Sequence, residues 1–314
     1  MTPNPTYMDA QTEIQWPMRT VLIDWIVQVH QRFSMVPETL FLTINLIDRF
    51  LSVKVVSLAK LQLVGAAAIY LAAKYEEINC PTVAEMVFMV DRGFSADEIL
   101  KAEKFMLNML RFELGWPGPM SFLRRISKAD DYHLETRTLA KYLMELTVMD
   151  ERFIACPPSS IAAAAHYLAR QLLRLPGANK QQPGTASSST SGSEAAAIRW
   201  TIPHVYYSGY TEDQILPIAD EMLDCCRDGR THHRAVFDKY KVSRFHQAST
   251  FVEGELRAGF RLEALDLLDV DELYGEFTDG LEGEHLDGLG VGGPLLWDFE
   301  SVKGGEQGLL VGGA

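Results

Sequence analysis

The sequence predicts an all-α protein built as two tandem repeats of about five helices each. Three observations predict it. Apolar residues recur at spacings of three and four through nearly every segment from Trp16 to Phe251, and alternating strand-like runs are missing. An alanine-rich segment occurs twice: Ala66-Ala67-Ala68-Ile69-Tyr70-Leu71-Ala72 matches Ala163-Ala164-Ala165-His166-Tyr167-Leu168-Ala169 at an offset of 97. A second segment also repeats: Ser95-Ala96-Asp97-Glu98-Ile99-Leu100 matches Thr211-Glu212-Asp213-Gln214-Ile215-Leu216 at an offset of 116.

These matches divide the chain. Residues 1–16 are a short lead-in, 17–114 the first repeat and 118–252 the second. The two offsets differ by 19 residues, so the second copy carries that much extra chain between Leu168 and Thr211. The low-complexity stretch from Gly177 to Ser193 supplies it, and a disordered insert is expected near 177–196. Small side chains let neighbouring helices approach closely, so residues 64–73 and 161–170 should be the central helix of each repeat.

Composition changes after Val252. From Glu253 to the end there are 15 acidic and 3 basic residues, a net of -12 against -13 for the whole chain, which leaves residues 1–252 near neutral. That body has no basic footprint for nucleic acid. Fourteen of the 23 glycines lie in the tail, so 253–314 should be mostly disordered. One helix is expected within it, over 255–268, where Leu256, Phe260, Ala264 and Leu268 recur every four residues.

Several functions are disfavoured. Cys80, Cys156, Cys225 and Cys226 have no disulfide or zinc-knuckle spacing, which reads as a reduced intracellular protein. The longest apolar run, from Leu63 to Ala73, is too short to cross a bilayer. Gly288-Leu289-Gly290-Val291-Gly292-Gly293 fits a dinucleotide-loop spacing, but no strand precedes it and Pro294 follows where a helix should begin. The histidines are scattered apart from His232-His233, so neither metal nor cofactor is expected. No nucleophile elbow, phosphate loop or kinase signature is present, and an enzyme is not expected.

Two features invite a binding reading. Met18, Val21, Leu22, Trp25 and Val29 form one apolar stripe, and Ile23, Ile26 and Val27 a second. Such a helix is either wholly buried or has one face on the core and the other open as a groove. Lys74 ends the alanine-rich rod, where a lysine must be paired or reach solvent. Its counterpart in the second repeat is Gln171, and Glu103 maps to Ala219. Were the fold to need these charges, both repeats should carry them. The reading preferred over two unrelated surface charges is a functional pair confined to repeat one.

Further residues carry a family resemblance. Met18-Arg19-Thr20-Val21-Leu22-Ile23-Asp24-Trp25 is similar to the M-R-x-x-L-x-D-W opening of the cyclin box. Pro37-Glu38-Thr39-Leu40 with Asn45-Leu46-Ile47-Asp48-Arg49-Phe50-Leu51 resembles its next helix. Lys60-Leu61-Gln62-Leu63-Val64-Gly65 and Ala72-Ala73-Lys74-Tyr75-Glu76-Glu77-Ile78 complete the set, and Lys239-Tyr240 through Phe245 resembles the end of a second box. The match runs over about residues 5–252 and is closest to B-type (mitotic) cyclins, especially fungal ones.

The resemblance implies a cyclin fold of two stacked five-helix boxes. It also implies a regulatory subunit that activates a cyclin-dependent serine/threonine kinase at G2/M, in nucleus and cytoplasm, without nucleic acid or membrane. Lys74 and Glu103 would hold the kinase's activating helix region by charge-assisted hydrogen bonds. Tyr75, Leu107, Phe112 and Leu114 would add apolar contact there, with Glu76 beside them. A patch of Met18, Val21, Leu22, Trp25, Leu61 and Gln62 would dock substrates or inhibitors carrying Arg-x-Leu-type segments. Gln28 stands where many members have an acid, while Asp91 keeps the second one, so weaker charge preference is expected. The family's N-terminal helix and degradation region are expected to lie largely ahead of this sequence. A cyclin-fold transcription adaptor that grips DNA is the competing reading, and the near-neutral body argues against it.

Overall fold

A computed structural model describes residues 2–174 and 200–262. They belong to one compact unit spanning residues 1–263; the insert and the tail beyond Leu262 lie outside the described residues. Among the described residues there are thirteen α-helices and no strand, and no helix is long and apolar enough to cross a membrane.

The first five are α1 (Trp16–Arg32), α2 (Pro37–Val53), α3 (Leu58–Glu76), α4 (Val83–Met89) and α5 (Ala96–Met109). The next five are α6 (Pro119–Ile126), α7 (Leu134–Thr147), α8 (Pro158–Leu172), α9 (Ile202–Ser208) and α10 (Glu212–Arg227). Proline in the first turn opens α1, α2, α6 and α8, where its missing N–H leaves no bond unmade. The two offset-116 segments start α5 and α10 in the same way. Ser95 with Glu98, and Thr211 with Gln214, form reciprocal capping boxes that satisfy the orphan amides of the first turn.

The helices α3 and α8 are the two central rods. Ala66, Ala67 and Ala68 have no exposed surface, nor do Ala162 to Ala165. Around α3 pack α1, α2, α4 and α5; around α8 pack α6, α7, α9 and α10. Each position in the first set has its counterpart in the second, so the sequence repeat is a structural one.

Three short helices follow the second five: α11 (Gly229–His232), α12 (Arg234–Tyr240) and α13 (Ala248–Arg257). Of these, α12 packs on α1 and α7, which returns the chain to the first repeat. Residues 263–268 of the helix expected over 255–268 lie outside the described residues; over the remainder α13 begins earlier and ends at Arg257. Gly259 takes φ +92°, its N–H bonds the Leu256 carbonyl, and the Phe260 N–H bonds the Glu255 carbonyl. That is a Schellman stop, and it ends the helix before the apolar spacing does. The lead-in is also structured. Tyr7 and Met8 are buried in a 3-10 turn, and the Tyr7 hydroxyl donates to Asp48 at 2.8 Å.

Candidate functional site

The end of α3 carries a charge pair, Lys74 with Glu103. Lys74 Nζ donates to Glu103 Oε1 at 2.7 Å and Oε2 at 2.9 Å, and sits 4.0 Å from the centroid of the Tyr70 ring. The carboxylate is nearly buried in α5, while the Lys74 side chain is 40% exposed. Burial alone would lower the ammonium's pKa, but the hydrogen bonds and charge of Glu103 outweigh it and hold it above the ordinary lysine value. In the second repeat, Ala219 is fully buried at the Glu103 position. Gln171 stands at the Lys74 position, and the charge that α8 carries is elsewhere, on Arg170, which meets Asp130 Oδ2 at 3.1 Å.

Apolar groups stand open on the segments that carry the pair. Tyr75 is 53% exposed and Phe112 66%, while Leu107 and Leu114 are half-buried. Phe112 has φ +58° on the turn that ends α5. Glu76 is exposed, and its carboxyl is pushed up by partial desolvation and by Glu38 and Glu77. Ile78 is fully open at 99% and belongs to the same stretch, but no sequence rule separated it from its neighbours.

The second predicted patch divides by depth. Leu22 and Leu61 are each 5% exposed, so they are floor and not contact surface. A Cβ added at Gly65 would meet Leu22 Cδ1 at 2.7 Å, which shows how closely α1 and α3 approach. Val29, Ile23, Ile26 and Val27 are wholly buried. What α1 leaves open is Val21, at 70%, with Met18 and Trp25 half-buried and Gln62 exposed on α3. Gln28 donates to Asp24 one turn away at 2.9 Å, and Asp91 is on the exposed turn after α4 with φ +51°.

The polar residues of the α1 signature have a different task. Arg19 grips Asp48 through Nε and Nη2, both at 2.7 Å, and donates Nη1 to the Val148 carbonyl of the second repeat at 3.0 Å. Asp24 accepts the Ala235 N–H of α12 at 2.8 Å. Both tie the repeats together. Sequence reading missed these roles because the partners lie 129 and 211 residues away.

Comparison with known proteins follows the same division of the chain. Residues 1–115 match the cyclin N-terminal domain and residues 117–254 the cyclin C-terminal domain.

The chain belongs to the cyclin family.

This cyclin is 55% identical over 256 residues to G2/mitotic-specific cyclin-4 of Candida albicans, covering 82% of this chain and 48% of that protein. It is 50% identical over 250 residues to G2/mitotic-specific cyclin-3 of Saccharomyces cerevisiae, covering 80% and 53%. The chain spans about half the length of the curated relatives it matches. Among solved structures, a viral cyclin from herpesvirus saimiri has the same fold, with a TM-score of 0.55, 18% identity and coverage of 68% of this chain and 88% of that one.

Proposed function

We propose that this cyclin is a regulatory subunit, not itself an enzyme, that binds and activates a cyclin-dependent serine/threonine kinase and docks its substrates at the G2/M transition. The observation that carries the reading is the Lys74–Glu103 pair at the open end of α3, present in one repeat and replaced in the other by Gln171 and the buried Ala219. The pair presents a fixed charge and, beyond the two N–H groups bonded to Glu103, one further ammonium donor, with Tyr75, Ile78 and Phe112 exposed on the flanking segments, an arrangement suited to gripping a helix of the kinase. Binding acts by population shift: it favours the kinase conformation in which the active-site lysine–glutamate pair is assembled. The names of the fungal relatives support the G2/M stage.

The open part of the α1 patch, Val21, Met18, Trp25 and Gln62 over the Leu22 and Leu61 floor, docks Arg-x-Leu-type segments, with Asp91 attracting their basic residue. The near-neutral body argues against nucleic acid as a partner, and the site of action is nucleus and cytoplasm.

The test is a kinase assay. The chain is added to a purified fungal cyclin-dependent kinase catalytic subunit with a serine/threonine peptide. Phosphorylation should rise with added chain and saturate near equimolar. No rise, with the chain folded, would overturn the reading.

A further inference from the structure

Away from both surfaces, three donor atoms of different chemistry converge in the second repeat. Asp150 is on the turn after α7, Cys225 in the last turn of α10 and His232 at the end of α11. The Asp150 Oδ2 atom lies 3.4 Å from Cys225 Sγ and 3.1 Å from His232 Nε2, and the three atoms are all within 4.8 Å of one another. We propose that Asp150, Cys225 and His232 bind a thiophilic divalent cation of the Zn2+ class, stapling three separate segments of this repeat.

Geometry supports the assignment. Tetrahedral zinc, with bonds of about 2.0 Å to oxygen and nitrogen and 2.3 Å to sulfur, sets O···S edges near 3.5 Å and O···N edges near 3.3 Å. The two edges that meet at Asp150 Oδ2, 3.4 and 3.1 Å, differ from these by no more than a few tenths of an ångström, and the Cys225–His232 edge is within 4.8 Å. The other buried group of this kind is different. Asp130 spends Oδ2 on His166 and Arg170 and Oδ1 on His204, so no single oxygen meets both rings. It is a hydrogen-bonded network and not a coordination site. A mixed sulfur, nitrogen and oxygen set also selects: Mg2+ and Ca2+ take all-oxygen shells, while zinc-class ions accept thiolate and imidazole.

Arg152 now supplies the positive charge. Its guanidinium bonds Asp150 Oδ1 and Oδ2 at 3.0 and 2.8 Å and touches Cys225 Sγ at 3.1 Å, and it also reaches Glu221. The Arg152 side chain is 43% exposed and can withdraw toward Glu221 as a cation enters. Charges then balance. A divalent cation, the Cys225 thiolate and the Asp150 carboxylate sum to zero, and Arg152 with Glu221 sums to zero. His232 is about a quarter exposed, which leaves the fourth position to water.

The imidazole beyond the site can adjust. His232 Nδ1 is 3.0 Å from His233 Nδ1, and His233 Nε2 is 2.7 Å from the Tyr142 hydroxyl. With the cation absent, protons run from Tyr142 through His233 and His232 to Asp150. With it bound the chain reverses: His232 donates Nδ1–H to His233, which donates Nε2–H to Tyr142, whose hydroxyl turns to Cys226. Both directions hold the same number of protons, so the one proton released on binding is that of the Cys225 thiol, and it leaves to solvent.

The test uses the full reduced chain and Co2+ as the probe, with Zn2+ competing against a chelator. One equivalent of Co2+ should produce the thiolate-to-cobalt absorption band, and Zn2+ should erase it. Cys225→Ser should abolish the band, Cys156→Ser should keep it, and His232→Gln should weaken binding. Arg152→Gln should tighten Zn2+ binding about tenfold or more, because the guanidinium no longer competes for Asp150 Oδ2 and Cys225 Sγ. If Cys225→Ser fails to fold, the more exposed His232→Gln carries the decision. The proposal fails if the wild-type chain shows no band. It fails equally if the band survives Cys225→Ser or Arg152→Gln binds no more tightly.

Discussion

Replacing Arg19 by methionine tests how the two cyclin repeats are joined. Arg19 and Asp48 are 2% and 5% exposed, and two hydrogen bonds of 2.7 Å link them. The third bond, to the Val148 carbonyl, is the one that crosses to the second repeat. Removing the guanidinium leaves the Asp48 carboxylate buried with, among the described residues, the Tyr7 hydroxyl to solvate it. Breaking a buried pair from one side typically costs about 3–5 kcal/mol. A domain's whole stability is typically about 5–15 kcal/mol, so Arg19→Met should bring the chain close to unfolding. Replacing both partners, as in Arg19→Met with Asp48→Leu, removes the orphaned charge and should recover much of the loss. Urea unfolding of the wild type, Arg19→Met, Asp48→Leu and the double variant gives the cycle. A loss under about 1 kcal/mol for Arg19→Met, or a double variant no better than it, would refute the reasoning.

Other perturbations follow from the same geometry. Ala66→Leu in the α3 rod, which has no exposed surface, should overpack the first repeat and cost about 1–3 kcal/mol in a urea titration; Ala163→Leu should do the same in the second. Trp25→Ala should weaken phosphorylation of substrates carrying Arg-x-Leu segments and spare those lacking them, and an equal loss for both would make Trp25 part of the core. Acid should destabilise the chain well above the carboxylate range. Burial holds His30, His166 and His204 below the ordinary histidine pKa and His233 down at about 3, so the fold keeps them neutral while the unfolded chain protonates them. Each therefore contributes stability that is present above about pH 6.5 and is lost as pH falls below it, at no more than about 1.4 kcal/mol per pH unit for any one of them. Urea midpoints at pH 7.5 and 5.5 measure this, and equal midpoints would contradict it.

The fold was legible because its strongest signals are local. The Ala66 and Ala163 segments and the Ser95 and Thr211 caps each encode their geometry within a few residues, so a repeat in sequence is a repeat in space. Periodicity could not separate floor from surface on α1, because apolar residues cover most of its circumference. Leu22 and Val21 are adjacent in sequence, yet one is buried and the other 70% exposed. Nor could spacing foresee that Arg19 and Asp24 bind the second repeat, since chain distance carries no trace of such contacts. The charges of Lys74 and Glu103 were conspicuous only because the second repeat provided an internal control.

The most direct test of the kinase-binding reading is a double-mutant cycle at that pair. Affinity for a purified cyclin-dependent kinase catalytic subunit is measured by titration for the wild type, Lys74→Ala, Glu103→Ala and the double variant, with helical content checked by circular dichroism. Each single change should lower affinity by about 1.5–3 kcal/mol, roughly 10- to 150-fold, and the double change should cost less than the sum of the two. Folded single variants that bind the kinase as tightly as the wild type would contradict the account.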